Sequence, residues 1–517
     1  MSIAQESPYI LLAMRGADIS PSALRSTERS TDRATERTIE RRSKEDSVAV
    51  REVVAREAVA RESDDVEPAT VESALLAPRA SASSSGPLRA QREGVTVLRG
   101  AGLDSMIHEL SKSSRESAAA GAGRESSARD AITRDGARES LVAAAEMNAK
   151  SSILLSDRVV FNDERLARKY ASESIPISTL YEAYFDGSLD IPGDLVSFLR
   201  SRNSFVKHTI TRQHLQWAVT NFVPEMVAHS READARAARE LFDERGNDFF
   251  HAFLGDRMSF SCAHFEFPTD SLETASEQAS SRICDKIGLR ASHRVLDVGA
   301  GWGAFLSHVA ASRGAEGLGV TLSRAQEAHA NRRFSELGVE HQARVLYADY
   351  RDLPAEKFDR IVCIETVERV CVKNLKTFFE KLAEHLVDDG QLFLQWTGLR
   401  RQLKPEDLMW GLFINKHILP GADAGLPLSS MLKVAEKSGW EVRSVENVGL
   451  QYAQTLRLWL ANWEARRERT VAQHGERWFR TWQFFLAWSQ LVAEQGSAAC
   501  FQVVLNKNLD SLDRRGL

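Results

Sequence analysis

Two carboxylates, Glu365 and Glu368, follow an apolar run, Phe358-Asp-Arg-Ile-Val-Cys-Ile364, that reads as a buried strand. Ligands of open α/β sheets bind beyond the C-terminal ends of the strands, so both acids stand where acid–base chemistry takes place. A surface acid paired with Arg369 is the competing reading of Glu368. A second group lies upstream. Arg294 to Asp297 reads as a short buried strand, and Gly299, Gly301 and Gly303 follow at alternate positions before a helical pattern begins near Phe305. Strand, glycine turn and helix open a nucleotide-binding βαβ unit, with glycine where the backbone turns tightly and touches a ligand. The order Asp-x-Gly-x-Gly-x-Gly is not the dinucleotide pattern, which requires G-x-G-x-x-G. A glycine-rich turn of another α/β fold is the competing reading.

The elements that must position these residues are legible in order. Leu272 to Ala279 is an amphipathic helix leading into the first strand. Gly317-Leu-Gly-Val-Thr-Leu-Ser-Arg-Ala-Gln326 reads as the second strand and the start of its helix. Many nucleotide-binding folds end that strand with an acid for the ribose hydroxyls. Here Thr321, Ser323 and Gln326 occupy the region. Ala343 to Tyr347 reads as the third strand, before Asp349-Tyr-Arg-Asp352, and Gly390 to Leu394 as the fifth, ending in Gln395-Trp-Thr-Gly398. Cys500 to Leu505 reads as a closing strand.

At 517 residues the chain has room for two or three domains, and a net charge of −5 with 43% hydrophobic residues is ordinary. The average hides an asymmetry. All 10 Trp and all 23 Phe lie beyond residue 150, and Tyr9 is the lone aromatic before it. A segment without aromatics to bury cannot easily offset its ordering entropy, so residues 1–155 read as a largely disordered, low-complexity leader. It contains the repeat Arg25-Ser-Thr-Glu, Arg29-Ser-Thr-Asp, Arg33-Ala-Thr-Glu, Arg37-Thr-Ile-Glu, which pairs charges along a helix but supplies no apolar face. Glu6 and Asp18 argue against a transit peptide, and no apolar signal core is present; an organelle address stays open. No run of about 18 apolar residues occurs. Cys262, Cys284, Cys363, Cys371 and Cys500 show neither C-x-x-C spacing nor a zinc pattern, so free thiols, a reducing compartment and no metal are expected. Residues 156–255 read as a helical domain, with Leu166, Tyr170, Leu180, Tyr181, Tyr184, Phe185, Phe198, Leu215, Trp217 and Phe222 as its core. Breaks fall at Pro176, Ile191-Pro-Gly193 and Pro224.

The resemblance to a known family rests on three runs. Asp297-x-Gly-x-Gly-x-Gly303 resembles the first motif of class I S-adenosylmethionine-dependent methyltransferases. Gly246-Asn-Asp-Phe-Phe250 followed by Ser259-Phe-Ser-Cys-Ala263, and Gly319-Val-Thr-x-Ser-x-x-Gln326, resemble the cyclopropane fatty acid synthase family. That family includes the mycolic acid methyltransferases, with coclaurine-type N-methyltransferases as more distant relatives. The resemblance spans about residues 160–510. It implies an α/β fold: a Rossmann-like class I methyltransferase domain over 256–510 behind the helical N-terminal domain and the leader. It implies a cofactor site of Phe260, Ser261, Asp297, Gly299, Gly301, Trp302, Gly303, Thr321, Ser323, Gln326, Asp349, Tyr350, Ile364 and Glu365, with Asp349 near the adenine amine and Tyr350 against the ring. A sulfonium cofactor without phosphate suits the carboxylate of the first motif. Trp410, Phe413, Ile414 and Ile418 to Gly421 resemble the family's acyl-binding region. The run from Trp478 to Trp488 reads as a buried helix, or as the wall of an acyl tunnel or a membrane-facing surface.

The implied reaction is methyl transfer to the double bond of an unsaturated acyl chain of a phospholipid, at a membrane surface, followed by ring closure when a base removes a proton from the transferred methyl. The family uses bound bicarbonate as that base. By resemblance the anion is held by the Cys262 region, Glu368, a His and Tyr452, which with Gln395 form the expected catalytic set. Gln395 stands where the family has that His, and Thr397 where it has Ile. An amide donates a hydrogen bond but carries no positive charge. That puts ring closure in question, with a methylene branch, or a methyl branch made with a partner reductase, as alternatives. Arg369 replaces a His that is the base in the coclaurine branch, and Arg is no base at neutral pH. N-methylation of a small amine and a non-catalytic cofactor-binding regulator stay open. A cytoplasmic protein, peripheral at a membrane, either alone or as a homodimer and without nucleic acid, is the expectation.

Overall fold

The computed structural model describes residues 155–209, 230–353, 355–421 and 425–510. The leader up to residue 154 lies outside the described residues, as do Leu215, Trp217, Phe222 and Pro224. In the helical segment, α1 (Glu164–Tyr170), α2 (Ile177–Asp186) and α3 (Leu195–Arg200) are joined by two short strand pairs. Asp163 and Asp194 cap α1 and α3 by accepting from backbone N–H groups one turn in. α4 (Arg231–Ala238) widens into a π turn, Arg239–Asp243, and α5 (Asn247–Leu254) follows. The π turn places Asp243 so that its carboxylate accepts from Ser323 Oγ and, at 3.1 Å, from the Ala325 N–H.

From α6 (Leu272–Lys286) the chain builds an open sheet. Its strands are β1 (Arg294–Val298), β2 (Glu316–Thr321), β3 (Ala343–Tyr347), β4 (Phe358–Ile364), β5 (Leu386–Leu399), β6 (Trp440–Asn447) and β7 (Ala498–Lys507). The seven strands lie in the order β6-β7-β5-β4-β1-β2-β3. All neighbours pair in parallel except β7, which runs antiparallel to both β5 and β6. The strand order reverses between β1 and β4, so the ligand crevice of such a sheet falls there. β5 extends beyond the expected Gly390–Leu394 to take in Gln395, Trp396 and Thr397. The edge strand β6, not foreseen from sequence, shows why: most of its residues are exposed or half-buried, so it lacks an apolar signature.

Successive strand residues face opposite ways, and two helix layers cover the sheet. α6, α7 (Ala304–Arg313) and α8 (Arg324–Glu336) pack on Val295, Val345, Val362, Phe393 and Val504. α9 (Leu375–His385) and α11 (Leu428–Lys437) pack on Leu296, Ile361, Cys363, Leu394 and Val503. α10 (Pro405–Phe413), α12 (Gly449–Ala465), α13 (Arg467–His474) and α14 (Glu476–Glu494) complete the C-terminal part. α14 is buried along most of its length, and Trp482 and Trp488 are fully enclosed. The helical segment shares one continuous core with these helices: Tyr181 meets Phe413 at 5.2 Å between ring centroids, and Phe185 meets Phe484 at 5.8 Å. Removing one such ring costs about 3–5 kcal/mol, so this core ties the segment to the cavity walls that α10, α12 and α14 supply. Among the described residues, no helix is long and apolar enough to cross a membrane.

Candidate active site

A cleft of about 1270 Å³, partly open to solvent, lies at the C-terminal ends of β1, β2 and β4. Gly299 carries φ +86°, and a Cβ there would fall 2.1 Å from Thr366 Oγ1, so the first turn closes against the loop after β4 only without a side chain. The turn leaves Asp297 in the cleft wall, 2% exposed, with Oδ1 lacking a partner. Burial pushes its carboxyl up to about 7. A cation entering the cleft would complete it. Thr321 donates to Gln326 Oε1 at 2.6 Å, and both line the cleft at the end of β2.

Phe260, Ser261, Gly301, Trp302, Asp349, Tyr350, Ile364 and Glu365 also line it. Asp349 is already engaged: Arg351 donates to its Oδ1 through Nε at 2.7 Å and bonds Asp234 at 3.0 Å. Tyr350 packs edge-on against Phe378. Two expected members stand back from the cleft lining. Ser323 caps α8 and turns its hydroxyl to Asp243. A Cβ on Gly303 would meet Phe334 at 2.8 Å, so that glycine serves the approach of α7 to α8.

The two acids beyond β4 differ. Glu365 adopts φ +50°, a left-handed conformation that few side chains take. Its N–H still donates to Gln395 O at 2.9 Å, extending the β4–β5 ladder. The strained turn sends the carboxylate into a cage of donors. Oε1 accepts from Cys262 N–H at 2.8 Å and Gln395 Nε2 at 2.7 Å; Oε2 accepts from Tyr452 Oη at 2.6 Å. Burial raises its pKa and the three donors pull it back. Glu368 accepts one bond, from Thr397 N–H at 2.8 Å, and its buried Oε2 has none. Burial, then the nearby Glu365, push it up to about 8. Burial, then Glu365, also hold the Tyr452 phenol well above its usual value. Cys262 and Tyr452, allotted from sequence to bicarbonate, and Gln395, which stands at the position of the expected His, thus converge on the protein's own carboxylate.

A second, mainly apolar cavity of about 950 Å³ lies behind these acids. Trp410, Ile414, Leu456, Phe485 and Ala493 wall it, and Glu365, Glu368, Arg369, Thr397 and Tyr452 form its polar end. Phe242, Phe260, Glu365 and Arg369 border both cavities. Phe242 comes from one π turn, and Ile414 opens another, Ile414–Ile418. The sequence reading missed Phe242 because no local pattern marks a π turn. It also missed Cys500, whose Sγ lies 4.0 Å from Glu365 Oε1, because only the β5–β7 register reveals that approach.

The family model "Mycolic acid cyclopropane synthetase" matches residues 229–503. The sphingolipid C9-methyltransferase of Komagataella phaffii is 38% identical over 368 residues, covering 69% of this chain and 75% of that protein. The cyclopropane synthase MmaA2 of Mycobacterium tuberculosis superposes with a TM-score of 0.50 at 28% identity, over 54% of this chain and 99% of that one. The mycolic acid cyclopropane synthase CmaA1, in a complex with SAH and CTAB, gives 0.50 at 26%, over 53% and 98%. An unpartnered buried carboxylate, a side-chain-free turn and the absence of a phosphate-binding glycine pattern fit S-adenosylmethionine, a cation without phosphate. The chain belongs to the mycolic acid cyclopropane synthetase family and is an S-adenosylmethionine-dependent methyltransferase.

Proposed function

We propose that the protein methylates an alkene carbon in the long-chain base of a sphingolipid, and that Glu365 is the base. The observation that carries this reading is the apolar cavity that meets the cofactor cleft at Glu365. A lipid chain threaded there presents a double bond between the cleft and a carboxylate that three donors hold still. The likeness to the sphingolipid C9-methyltransferase, over three quarters of that protein, favours a sphingolipid over a phospholipid acyl chain.

In this reading Asp297, Thr321 and Gln326 hold the cofactor, which supplies an electrophilic methyl on sulfur. Phe242 and Phe260 exclude water from the meeting point of the two cavities, which protects a cationic chain. The alkene π pair forms the new carbon–carbon bond as the sulfur–methyl bond breaks, leaving the neighbouring carbon cationic. Glu365 then takes the hydrogen from the methylated carbon, and that C–H pair restores the double bond. Glu365 supplies the base, so bicarbonate is not required, and the steps balance without oxidant or reductant, so no reductase is required either. Arg369 at the border stays charged and cannot act as the base of an amine methyltransferase. The lipid is met at a membrane surface. Phe267 and Leu450, 62% and 75% exposed, flank the hydrogen-bonded pair Phe265–Gln451 and offer apolar contact there.

The test uses purified protein, cofactor deuterated in its methyl group, and vesicles carrying either a ceramide unsaturated at carbon 9 or a monounsaturated phosphatidylcholine. Mass spectrometry of the released chains should show a labelled ceramide base that keeps every methyl deuterium and has lost one chain hydrogen. Loss of one deuterium would mean deprotonation of the methyl itself, as in a ring or methylene product. Label confined to the phosphatidylcholine chain would overturn the sphingolipid assignment.

A further inference from the structure

A polar stripe crosses the sheet from its edge to the site. Glu446 on β6 pairs directly with Gln502 on β7, Gln502 with Gln395 on β5, and Gln395 with Ile364 at the end of β4, next to Glu365. Cross-strand partners put their side chains on the same face. Gln395 and Gln502 share the face of Phe393 and Val504, which α6 covers, and Lys286 in the last turn of α6 reaches down onto it. Its ammonium donates to Gln502 Oε1 and to Glu446. Gln502 Nε2 donates to Gln395 Oε1 at 2.7 Å, and Gln395 Nε2 donates to Glu365 Oε1 at 2.7 Å.

We infer that Lys286 is a positioning residue that, through Gln502 and Gln395, fixes the amide polarity that keeps Glu365 ionised. An ammonium has donors and no acceptor, so it can meet only the oxygen of Gln502. That orientation turns the Gln502 NH₂ to the oxygen of Gln395, and the Gln395 NH₂ to Glu365. Flipping both amides would set a carbonyl oxygen against a carboxylate oxygen, a contact tolerable only if Glu365 takes up a proton. Without the ammonium, neither orientation of the pair is excluded. Burial already raises the Glu365 pKa, so the polarity of this neighbour matters.

The other groups around the relay leave that role to Lys286. Glu446 also faces Arg282, with His264 nearby, so the outer end is a charged cluster rather than a free cation. At the inner end Glu365 faces Tyr452, Cys262, Cys500 and Glu368, with Arg369 beyond Glu368. The Tyr452 hydroxyl and the Cys262 N–H donate to Glu365 rather than to either glutamine amide. The inference rests on the reading of Glu365 as the base, and its test separates the two.

The experiment follows the protonated-carboxyl stretch of Glu365 by infrared titration of the full-length protein, assigned by its loss in Glu365→Gln. Lys286→Met should raise the titration midpoint by about one pH unit, and the acid limb of the pH–rate profile with it, a loss of about tenfold on that limb. Lys286→Arg should restore both. Gln502→Leu, which cuts the relay while leaving the Lys286–Glu446 pair in place, should act like Lys286→Met. A midpoint unmoved in both Lys286→Met and Gln502→Leu overturns the relay. Full turnover in Glu365→Gln would instead remove Glu365 as the base, while the infrared midpoints still report on the relay.

Discussion

Tyr452 donates its hydroxyl to Glu365 Oε2 at 2.6 Å, from the first turns of α12 across to the end of β4. The bond closes a cage whose other donors are a backbone N–H and a glutamine amide. Glu368, three residues on, accepts a single bond and is pushed up to about 8. Burial raises the Glu365 carboxyl as well, but three donors favour its anion, so it ionises before Glu368, and its charge helps to keep Glu368 neutral. One base and one neutral acid at the mouth of an apolar cavity suit a reaction with a single proton transfer.

Glu365→Gln keeps the shape of the cage and removes the base. Turnover should fall by about 10²–10⁴-fold, while calorimetry should find cofactor affinity close to wild type. An equal loss in both would place Glu365 in cofactor binding instead.

The raised Glu368 carboxyl also carries a stability signature. Below its ordinary value of 4.5 both folded and unfolded chains are protonated there; between 4.5 and about 8 only the unfolded chain ionises. Stability from this group is thus lost as pH rises through that window. Glu368→Gln should gain on wild type by on the order of 2 kcal/mol between pH of about 5 and about 8.5. Paired thermal melts across that range read the difference, and parallel melting curves would contradict the burial of this acid in neutral form.

Asp297, pushed up to about 7, predicts a proton released on cofactor binding. A sulfonium and an ammonium brought near the carboxylate lower its pKa, so the free protein holds a fraction of a proton that the complex does not. Calorimetry in buffers of different ionisation enthalpy should show release greatest near neutral pH. Asp297→Asn should abolish the release and weaken binding by about 10- to 100-fold.

How far the chain could be read ahead of its structure depends on where each signal resides. β3 and β4 are local apolar runs, and they fall at Ala343–Tyr347 and Phe358–Ile364 as the pattern predicts. The glycine turn is local too, because Gly299, Gly301 and Gly303 all take a positive φ that the residue type itself permits. The role of Glu365 is not local. It depends on a positive φ at a non-glycine residue and on donors from three distant segments, none of which a spacing encodes. Gln395 could be noted as an unexpected amide, but its orientation depends on Gln502 and Lys286, which only strand register and the end of α6 bring together. Ser323 had the right neighbours in sequence, and its hydroxyl went to Asp243 because a π turn delivered that acid.

Ala493, on the face of α14 that lines the second cavity, tests whether that space holds the lipid chain. Its side chain is small and half-buried, so Ala493→Phe adds a ring mainly into empty volume rather than into packed core. Overpacking of a filled site would cost about 1–3 kcal/mol; a ring that enters a cavity should cost less, and the fold should survive. Lipid turnover should drop at least about tenfold, in line with loss of a few methylenes' worth of chain contact, while cofactor affinity stays unchanged because Ala493 lies away from the cleft. Shorter unsaturated chains should be the first to regain activity. Unaltered turnover of long-chain lipid in a folded Ala493→Phe protein would show that the chain takes another path to Glu365.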